Sequence, residues 1–310
     1  MRIGLVSAIA CGAVSVAAVG AVAASGGHLP RHYQPVVVHS HHKRCTKTVI
    51  NGLNDKGSAI GTEFCGKPGA FIRSPGGAVT RVALPKSYGA SKLVASNLAS
   101  NGIMAVVALG SPSRSYLVYP NGKVVRVAVP VAAGHTTIVN GVNRHGTAVG
   151  NYCTTRKCKV SYPYIYHAGH YRGFVLHHKG AVLTSLNAIT DSGELSGFFY
   201  QAPSGRARGF VKRGHKLRMI DAPKAGHKIA QGTLLTNAGN HGALCGEVIG
   251  KHQLRAGFVQ RRGHIHLVSL YRRHRGSFTE VTACNGHGEI GGHARNAPAH
   301  RYHAFLAKVG

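Results

Sequence analysis

Basic side chains are the most numerous groups in this chain that could recognise a ligand. The 310 residues include 38 Lys and Arg but only 8 Asp and Glu, which gives a formal net charge of +30 at pH 7. The clustered cations are Lys43, Arg44, Arg206, Arg208, Lys212, Arg213, Lys216, Arg218, Arg261, Arg262, Arg272, Arg273 and Arg275. The positive electrostatic potential of clustered cations attracts polyanions and makes their binding depend on salt concentration. The clusters predict a polyanion-binding surface; the alternative is a generic charge that gives solubility or loose adhesion to anionic surfaces.

Histidine is the second group with possible chemistry, with 22 residues in the chain. His39 and His41 lie in an N-terminal basic arm, and His264 and His266 alternate along a predicted strand. Alternation puts the latter two imidazoles on one face, where they could share a zinc or copper ion. The alternative is that these histidines are solvated and only gain charge as the pH falls toward 6. No other cofactor is predicted.

The acidic residues are too few to favour an enzyme built on paired carboxylates. Residues 61–67 imitate a phosphate loop, but Pro68 replaces the Ser or Thr that would hold magnesium. The sequence contains neither a His-Glu-x-x-His nor a Gly-x-Ser-x-Gly motif. We therefore predict no catalytic residues and a noncatalytic scaffold for acidic polymers, such as extracellular DNA, acidic polysaccharide, lipopolysaccharide or an anionic cell surface. Non-sequence-specific nucleic acid is among these partners.

Two other function classes remain open. One is a protein–protein or matrix scaffold whose target is not recognised by charge. The other is a polysaccharide lyase, in which Arg would neutralise a uronate carboxylate and His or Tyr would move the proton. Trp, the usual platform for sugar rings, is absent, although 12 Tyr are present.

The first residues have the pattern of an export signal. Met1-Arg2 is followed by an uncharged run at 3–22, and Ala21-Val22-Ala23 supplies small residues at a cleavage site. We predict a signal peptide over 1–23, a periplasmic or extracellular location, and no transmembrane segment after its removal. The alternative is an uncleaved anchor helix.

The cysteines agree with an oxidising compartment, because six remain when Cys11 is removed with the signal. Cys45 and Cys65 lie about equally far from a turn at 54–57, so a hairpin would bring them together. Cys153 and Cys158 can close a short loop, and Cys245 with Cys284 is the pair left by elimination. Free thiols or metal ligation are the alternatives.

The elements that must position these residues come from a sixfold internal repeat. A turn ending in Gly recurs at 54–57, 99–102, 143–146, 190–193, 239–242 and 285–288, at intervals of 45, 44, 47, 49 and 46 residues. A second Gly, an aromatic strand and two more apolar runs follow in most copies. Four short strands in about 46 residues are typical of a propeller blade. We predict an all-β, six-bladed β-propeller over 46–310, with an elongated β-repeat array as the alternative.

The two ends of the chain are expected to meet in this ring. The sixth unit stops at Gly310 just after its aromatic strand, and an additional strand-like run lies at 35–39 within the arm 24–45. We predict that residues 35–39 supply the missing fourth strand and latch a monomeric ring. Equivalent turns of a propeller share a face, so the basic clusters of repeats four to six are expected to form one surface.

The repeats resemble a known family. His303-Ala304-Phe305 matches the signature of the extracellular HAF-repeat proteins of bacteria. Residues 52–61 (GLNDKGSAIG) and 141–150 (GVNRHGTAVG) match the family's Gly-Ile-Asn-x-x-Gly-x-x-x-Gly turn. The resemblance covers roughly residues 46–310 and implies an exported bacterial repeat protein. It implies no reaction.

Overall fold

The structure is a computed structural model that describes residues 32–36, 38–40, 43–45, 47–222, 232–249, 255–270, 278–296 and 301–309. The predicted signal peptide 1–23 lies outside the described residues, as do His41, Arg272, Arg273 and Arg275. The described residues form strands and three short 3-10 turns, with no α-helix among them. Within that part of the chain, no helix is long and apolar enough to span a membrane.

Three short strands precede the repeats. They are β1 (His32–Val36), β2 (Val38–Ser40) and β3 (Lys43–Cys45). β2 and β3 form an antiparallel hairpin in which Val38 lies opposite Cys45.

The other strands follow the repeat order. Repeats one to three contain β4 (Thr48–Leu53), β5 (Ala59–Glu63), β6 (Gly69–Arg73), β7 (Val79–Arg81), β8 (Leu93–Leu98), β9 (Met104–Ala108), β10 (Arg114–Val118), β11 (Val124–Val127), β12 (Thr137–Val142), β13 (Ala148–Cys153), β14 (Ser161–His167) and β15 (His170–Gly173). Repeats four to six contain β16 (Ala181–Ile189), β17 (Leu195–Gln201), β18 (Arg206–Arg213), β19 (Lys216–Ile220), β20 (Gly232–Ala238), β21 (Leu244–Ile249), β22 (Arg255–Arg261), β23 (His264–Val268), β24 (Phe278–Cys284), β25 (Glu289–Asn296) and β26 (Arg301–Lys308). The 3-10 turns are Lys86–Tyr88, Pro130–Ala132 and Asn240–Gly242.

The sheets differ in one respect from the six separate blades that the sequence predicts. Four of them are separate and four-stranded, whereas the strands of repeats four and five belong to a single eight-stranded sheet. One parallel pairing, Ala207 with Gly232, joins the two halves. Other neighbouring repeats approach in a similar way through one backbone bond, as where Leu93 N–H donates to Pro68 O at 3.0 Å. The Ala207–Gly232 pairing alone merges the sheets of repeats four and five into one.

The repeated Gly and aromatic positions share one structural cause. Each innermost strand shifts its register near its middle, as at Val139/Gly141 in β12. The second repeat Gly lies directly opposite the aromatic residue of the third strand, as Gly150 opposite Tyr164 and Gly292 opposite Phe305. A Cβ at Gly292 would lie 1.9 Å from the Glu280 carbonyl oxygen and 3.1 Å from the Phe305 ring, so only Gly fits between the backbone and the ring.

The strand that completes the last sheet lies earlier in the sequence than predicted. β1 (His32–Val36) pairs antiparallel with β26, and the sheet order is β1-β26-β25-β24. The predicted range 35–39 therefore overlaps β1 only at Pro35 and Val36. Residues 38–40 pair with β3 instead, which places them outside the last sheet.

The innermost strands form a closed ring. β4, β8, β12, β16, β20 and β24 contact one another in this order, and β24 contacts β4. Apolar side chains fill the space between consecutive sheets; for example, Tyr164 and Tyr166 pack with Leu117 and Val127 of the preceding repeat. Radial antiparallel sheets around an axis are the architecture of a β-propeller.

The three predicted disulfides are all confirmed. Cys45–Cys65 joins the β2–β3 hairpin to the end of β5, and Cys153–Cys158 closes the loop between β13 and β14. Cys245–Cys284 links β21 to β24, and so fastens the fifth repeat to the sixth.

Candidate functional site

The turns between the first and second strands of the repeats converge on the ring axis. Residues of most of these turns line a small cavity that opens to solvent. The second residues of the turns are Asp55, Ser100, Arg144, Asp191, Asn240 and Gly286. Of these, Asp55, Ser100, Asp191 and Asn240 line the cavity with polar side chains. Two of the chain's 8 acidic residues therefore lie beside the axis. Sequence reasoning missed this cluster because these six positions share no residue type.

A hydrogen-bond network joins these turns across the axis. Asn240 Nδ2 donates to Asp55 Oδ2 at 2.8 Å and to Asp191 Oδ2 at 2.9 Å. Asp191 also accepts from Ser100 Oγ at 2.6 Å and from Arg144 N–H at 2.8 Å. The Gly286 N–H donates to Asp55 Oδ1 at 2.9 Å. All six turns are thereby tied together through two carboxylates.

The environment of Asp191 favours its charged form. Burial alone would raise the pKa of this carboxyl, but hydrogen bonds from Ser100, the Arg144 backbone and Asn240 outweigh it and lower the pKa below its ordinary value. Because donors from the turns occupy these carboxylate oxygens, the network is a structural tie between the repeats.

Most of the predicted cationic residues lie on the outer hairpins of repeats four and five. Lys212 and Arg213 end β18, Lys216 and Arg218 belong to β19, and Arg213 lies opposite Lys216. Arg261 ends β22 opposite His264, and Arg262 occupies the following turn. Lys43 and Arg44 lie apart from these hairpins, in β3.

Arg206 and Arg208 are engaged within the protein. Arg208 Nη2 lies 2.7 Å from Asp221 Oδ2, and Arg206 Nη2 lies 3.5 Å from Asp221 Oδ1. The sequence could not reveal this arrangement, because Asp221 is brought to β18 only by the β18–β19 hairpin. These two arginines are thus partly neutralised and are weaker candidates for a ligand than the residues near the hairpin turn.

The register of the outermost strands aligns basic residues in repeats three, four and five. Arg172, Arg218 and His266 each lie opposite the residue that follows the buried aromatic of the third strand. His170, Lys216 and His264 occupy a second equivalent position two residues earlier. We call these six residues the outer basic rows. Repeats one and two have Thr80 and Val125 at the first of these positions, so the rows start one repeat earlier than the sequence predicted.

All six residues of the outer basic rows are exposed, and the residues between them point inward. Each of these residues packs into the apolar core between its own repeat and the preceding one. Tyr171 does so between repeats two and three, Leu217 between repeats three and four, and Ile265 between repeats four and five. Successive residues of a strand face opposite sides. The outer basic rows therefore lie on the face of each outer strand that is turned toward the following repeat.

The acidic residues are withdrawn from the surface. All 8 lie in the described part of the chain and none is exposed. Glu63 (2% exposed), Glu247 (6%) and Glu280 (8%) are buried, and the other five are half-buried. Several are paired internally, such as Glu63 with Arg81 and Glu280 with His293. The fully exposed charged side chains of the described surface are therefore all cationic.

The histidines proposed as metal ligands are only partly placed. His264 and His266 lie on β23 and are both exposed on one side of it, as alternation predicts. His39 belongs to β2. Among the described residues, no three His, Cys, Asp or Glu side chains converge on a point where they could hold a metal ion.

Comparisons with known proteins give the fold but no family. No family model and no curated protein matches the chain. A mutant of AofleA from Arthrobotrys oligospora is 10% identical, with a TM-score of 0.51 over 93% of this chain and 89% of that chain. An Aleuria aurantia lectin, described as a six-bladed β-propeller with fucose recognition, is 11% identical, with a TM-score of 0.48 over 88% and 93%. XC5397, a gluconolactonase from Xanthomonas campestris, is 12% identical, with a TM-score of 0.48 over 95% and 99%. At 10% identity, the likeness to the AofleA mutant concerns the fold alone.

Proposed function

We propose that this chain is an exported, noncatalytic β-propeller that binds acidic polymers through the outer basic rows of repeats three to five. The observation that carries the proposal is the separation of charge. No acidic side chain is exposed, whereas Arg172, Lys216 and Arg218 are exposed at equivalent positions on neighbouring repeats. A polyanion approaching these strands meets few accessible carboxylates, and the one next to β19, Asp221, is paired with Arg206 and Arg208.

The repeat geometry supports a polymer in preference to a small anion. Single exposed ion pairs stabilise a complex by only about 0–1 kcal/mol. Three neighbouring repeats present the same pair of positions in succession, so a long ligand gains several such contacts without ordering a new surface for each. The gain comes largely from counterion release and decreases with salt.

Export and a six-bladed ring are parts of the same proposal. Three disulfides support an oxidising compartment, since disulfides persist mainly outside the cytosol. Six innermost strands in ring contact support six blades, if the eight-stranded sheet is divided at the Ala207–Gly232 pairing. Membership of the HAF-repeat family is also proposed. Its support is that Phe305 of the His-Ala-Phe signature fills the space opposite Gly292.

Binding of the purified protein to heparin, duplex DNA, anionic vesicles and a neutral glycan across a salt series tests the function. We expect no binding to the neutral glycan and a steep loss of polyanion binding as the salt concentration rises. On duplex DNA, the logarithm of the binding constant should fall by about 0.9 per tenfold rise in salt for each neutralised phosphate. A salt-independent affinity, or equal affinity for the neutral glycan, would overturn the proposal. A rise in ultraviolet absorbance on incubation with a uronate polymer would reveal lyase activity and overturn its noncatalytic part.

Two variants of equal net charge locate the surface. Arg172→Glu, Lys216→Glu and Arg218→Glu together should weaken duplex DNA binding at least about tenfold and reduce the salt slope by about 2 to 3. The matched control is Lys67→Glu, Lys86→Glu and Lys92→Glu, which reverses three exposed lysines elsewhere. If both variants lose affinity equally, net charge alone determines binding and the outer basic rows are not the site.

A further inference from the structure

The loop between β13 and β14 presents a rigid group of cations at another part of the surface. The Cys153–Cys158 disulfide closes this loop, and Cys158 N–H donates to Thr155 O at 3.0 Å within it. Arg156, Lys157 and Lys159 are all exposed. Because the loop is closed covalently at its base, these charges are held near one another before any ligand arrives.

An exposed aromatic ring lies just beyond these cations. Tyr162 is 43% exposed, more than any other Tyr or Phe whose burial the structure describes. Val160, two residues before it, is 44% exposed. Aromatic rings of this size bury much area when they stack on a planar partner. An exposed tyrosine next to three cations therefore combines the two contacts that a charged, planar ligand requires.

Tyr162 is supported from below by a buried tyrosine layer. Tyr152 lies directly opposite it on β13, with ring centroids 5.6 Å apart and planes inclined by 32°. Tyr152 is only 9% exposed. Its ring centroid lies 6.4 Å from that of Tyr164 and 6.1 Å from that of Tyr171, which it meets edge-on. Burial, with help from Tyr171, raises the pKa of Tyr152 to about 12. The Tyr162 ring thus packs on Tyr152, and 43% of Tyr162 stays exposed.

We infer that Tyr162 and the Cys153–Cys158 loop form a stacking subsite for single-stranded nucleic acid. One base stacks on the Tyr162 ring, while phosphates on either side of it contact Arg156, Lys157 and Lys159. This inference rests on the proposed function and names one class of acidic polymer within it. Cationic side chains beside aromatic platforms are the general means of binding single strands without reading their sequence.

The composition of the loop favours bases over sugars as the stacked group. Residues 154–162 contain no carboxylate and no side-chain amide, and their side-chain acceptors for sugar hydroxyls are the hydroxyl groups of Thr154, Thr155, Ser161 and Tyr162. The Tyr152 and Tyr162 rings pack with tilted planes, and a planar base extends this packing on the exposed side of Tyr162. Duplex DNA does not offer this contact, because its bases are already stacked inside the helix. The subsite is thus specific for unpaired nucleotides.

The test compares two oligonucleotides of equal charge by fluorescence anisotropy: a 12-residue oligo(dT) and an abasic strand of the same length. We expect the full protein to bind oligo(dT) more tightly, and Tyr162→Ala to weaken oligo(dT) about tenfold with no change for the abasic strand. Tyr162→Phe, which keeps the ring, should retain the wild-type affinity. Replacing Arg156, Lys157 and Lys159 by Ser should weaken both strands equally.

The outcomes separate this inference from the proposed function. Equal binding of the two strands by the wild type, or an unchanged oligo(dT) affinity in Tyr162→Ala, would overturn the stacking subsite and leave polyanion binding intact. Binding of neither strand nor of heparin would overturn both. If Tyr162→Ala weakened binding of polygalacturonate but not of oligo(dT), the subsite would be one for acidic sugars and the inference would be wrong. Unchanged circular dichroism and melting temperature establish that each variant is folded.

Discussion

Asn285 donates its side-chain N–H to the backbone carbonyl of Asn54, 231 residues earlier, at 3.0 Å. This bond joins the last repeat to the first. Asn54 and Asn143 make the same bond to Ala99 and Thr190, so one asparagine position connects neighbouring repeats at several places around the axis. Closure of the ring is thus a property of individual turn residues as well as of the apolar core.

Replacing Asn285 by Ala should therefore lower the free energy of unfolding by more than an ordinary surface change. Its side-chain carbonyl also accepts from His287 N–H and Glu289 N–H, both at 3.0 Å, and the residue is 1% exposed. Loss of these buried partners costs about 1–3 kcal/mol. Urea denaturation measures the change. Asn121→Ala is the control, because Asn121 is exposed and bonds within its own turn; equal effects of the two substitutions would contradict the prediction.

Removing β1 should destabilise the ring and promote association. Without this strand, β26 becomes an unpaired edge along residues 304–308. We expect deletion of residues 24–36 to lower the melting temperature and to increase aggregation on heating, measured by scanning calorimetry and light scattering. Deletion of 24–31 retains β1 and serves as the control. Identical melting curves for the two deletions would show that the β1–β26 pairing does not stabilise the ring.

Asp191 should make the stability of the protein sensitive to acid. Its folded pKa is lowered: burial opposes the charge, but the bonds from Ser100, Arg144 and Asn240 prevail. A lowered folded pKa contributes stability that is present above the ordinary Asp value near 4 and is lost as the pH falls through the folded value. Asp191→Asn should thus reduce the free energy of unfolding by more at pH 6 than at pH 3. A deficit of the same size at both pH values would argue against this assignment.

The Cys245–Cys284 and Cys153–Cys158 disulfides should stabilise the fold unequally. They close stretches of 39 and 5 residues. Chain entropy predicts about 4 kcal/mol for the longer closure and about 2 kcal/mol for the shorter one. Double Ser replacements at each pair, compared by chemical denaturation, measure the two effects. A larger loss from replacing Cys153 and Cys158 would contradict the entropic account.

The sequence predicted the features that depend on local spacing. Turn glycines such as Gly57 and Gly146 have positive φ (77° and 73°), as their recurring positions indicate. All three cysteine pairs also followed from spacing and elimination. The range of the latch strand was wrong, because a period of about 46 residues cannot decide whether Val38 pairs with β26 or with Cys45.

The chemistry of the surface was harder to predict because it depends on contacts between repeats. The sequence indicates free cations at Arg206 and Arg208, whereas in the fold the β18–β19 hairpin places Asp221 next to both. Arg172 stands alone in the sequence and becomes equivalent to Arg218 only when the strands are paired in register. The axial tie between Asp55 and Asp191 through Asn240 joins residues as far as 185 positions apart, which no local pattern records.

The lack of fully exposed carboxylates also governs how copies of this chain meet one another. Two molecules that approach through their described surfaces bring mainly cations together, and neither offers a fully exposed carboxylate to the other. They repel at low ionic strength, within a range of about 10 Å at 0.1 M salt. Under the proposed function, a strand of polyanion between two copies offsets that repulsion. The spacing of copies along such a polymer would then follow the charge density of the polymer, and contacts between the proteins would contribute little.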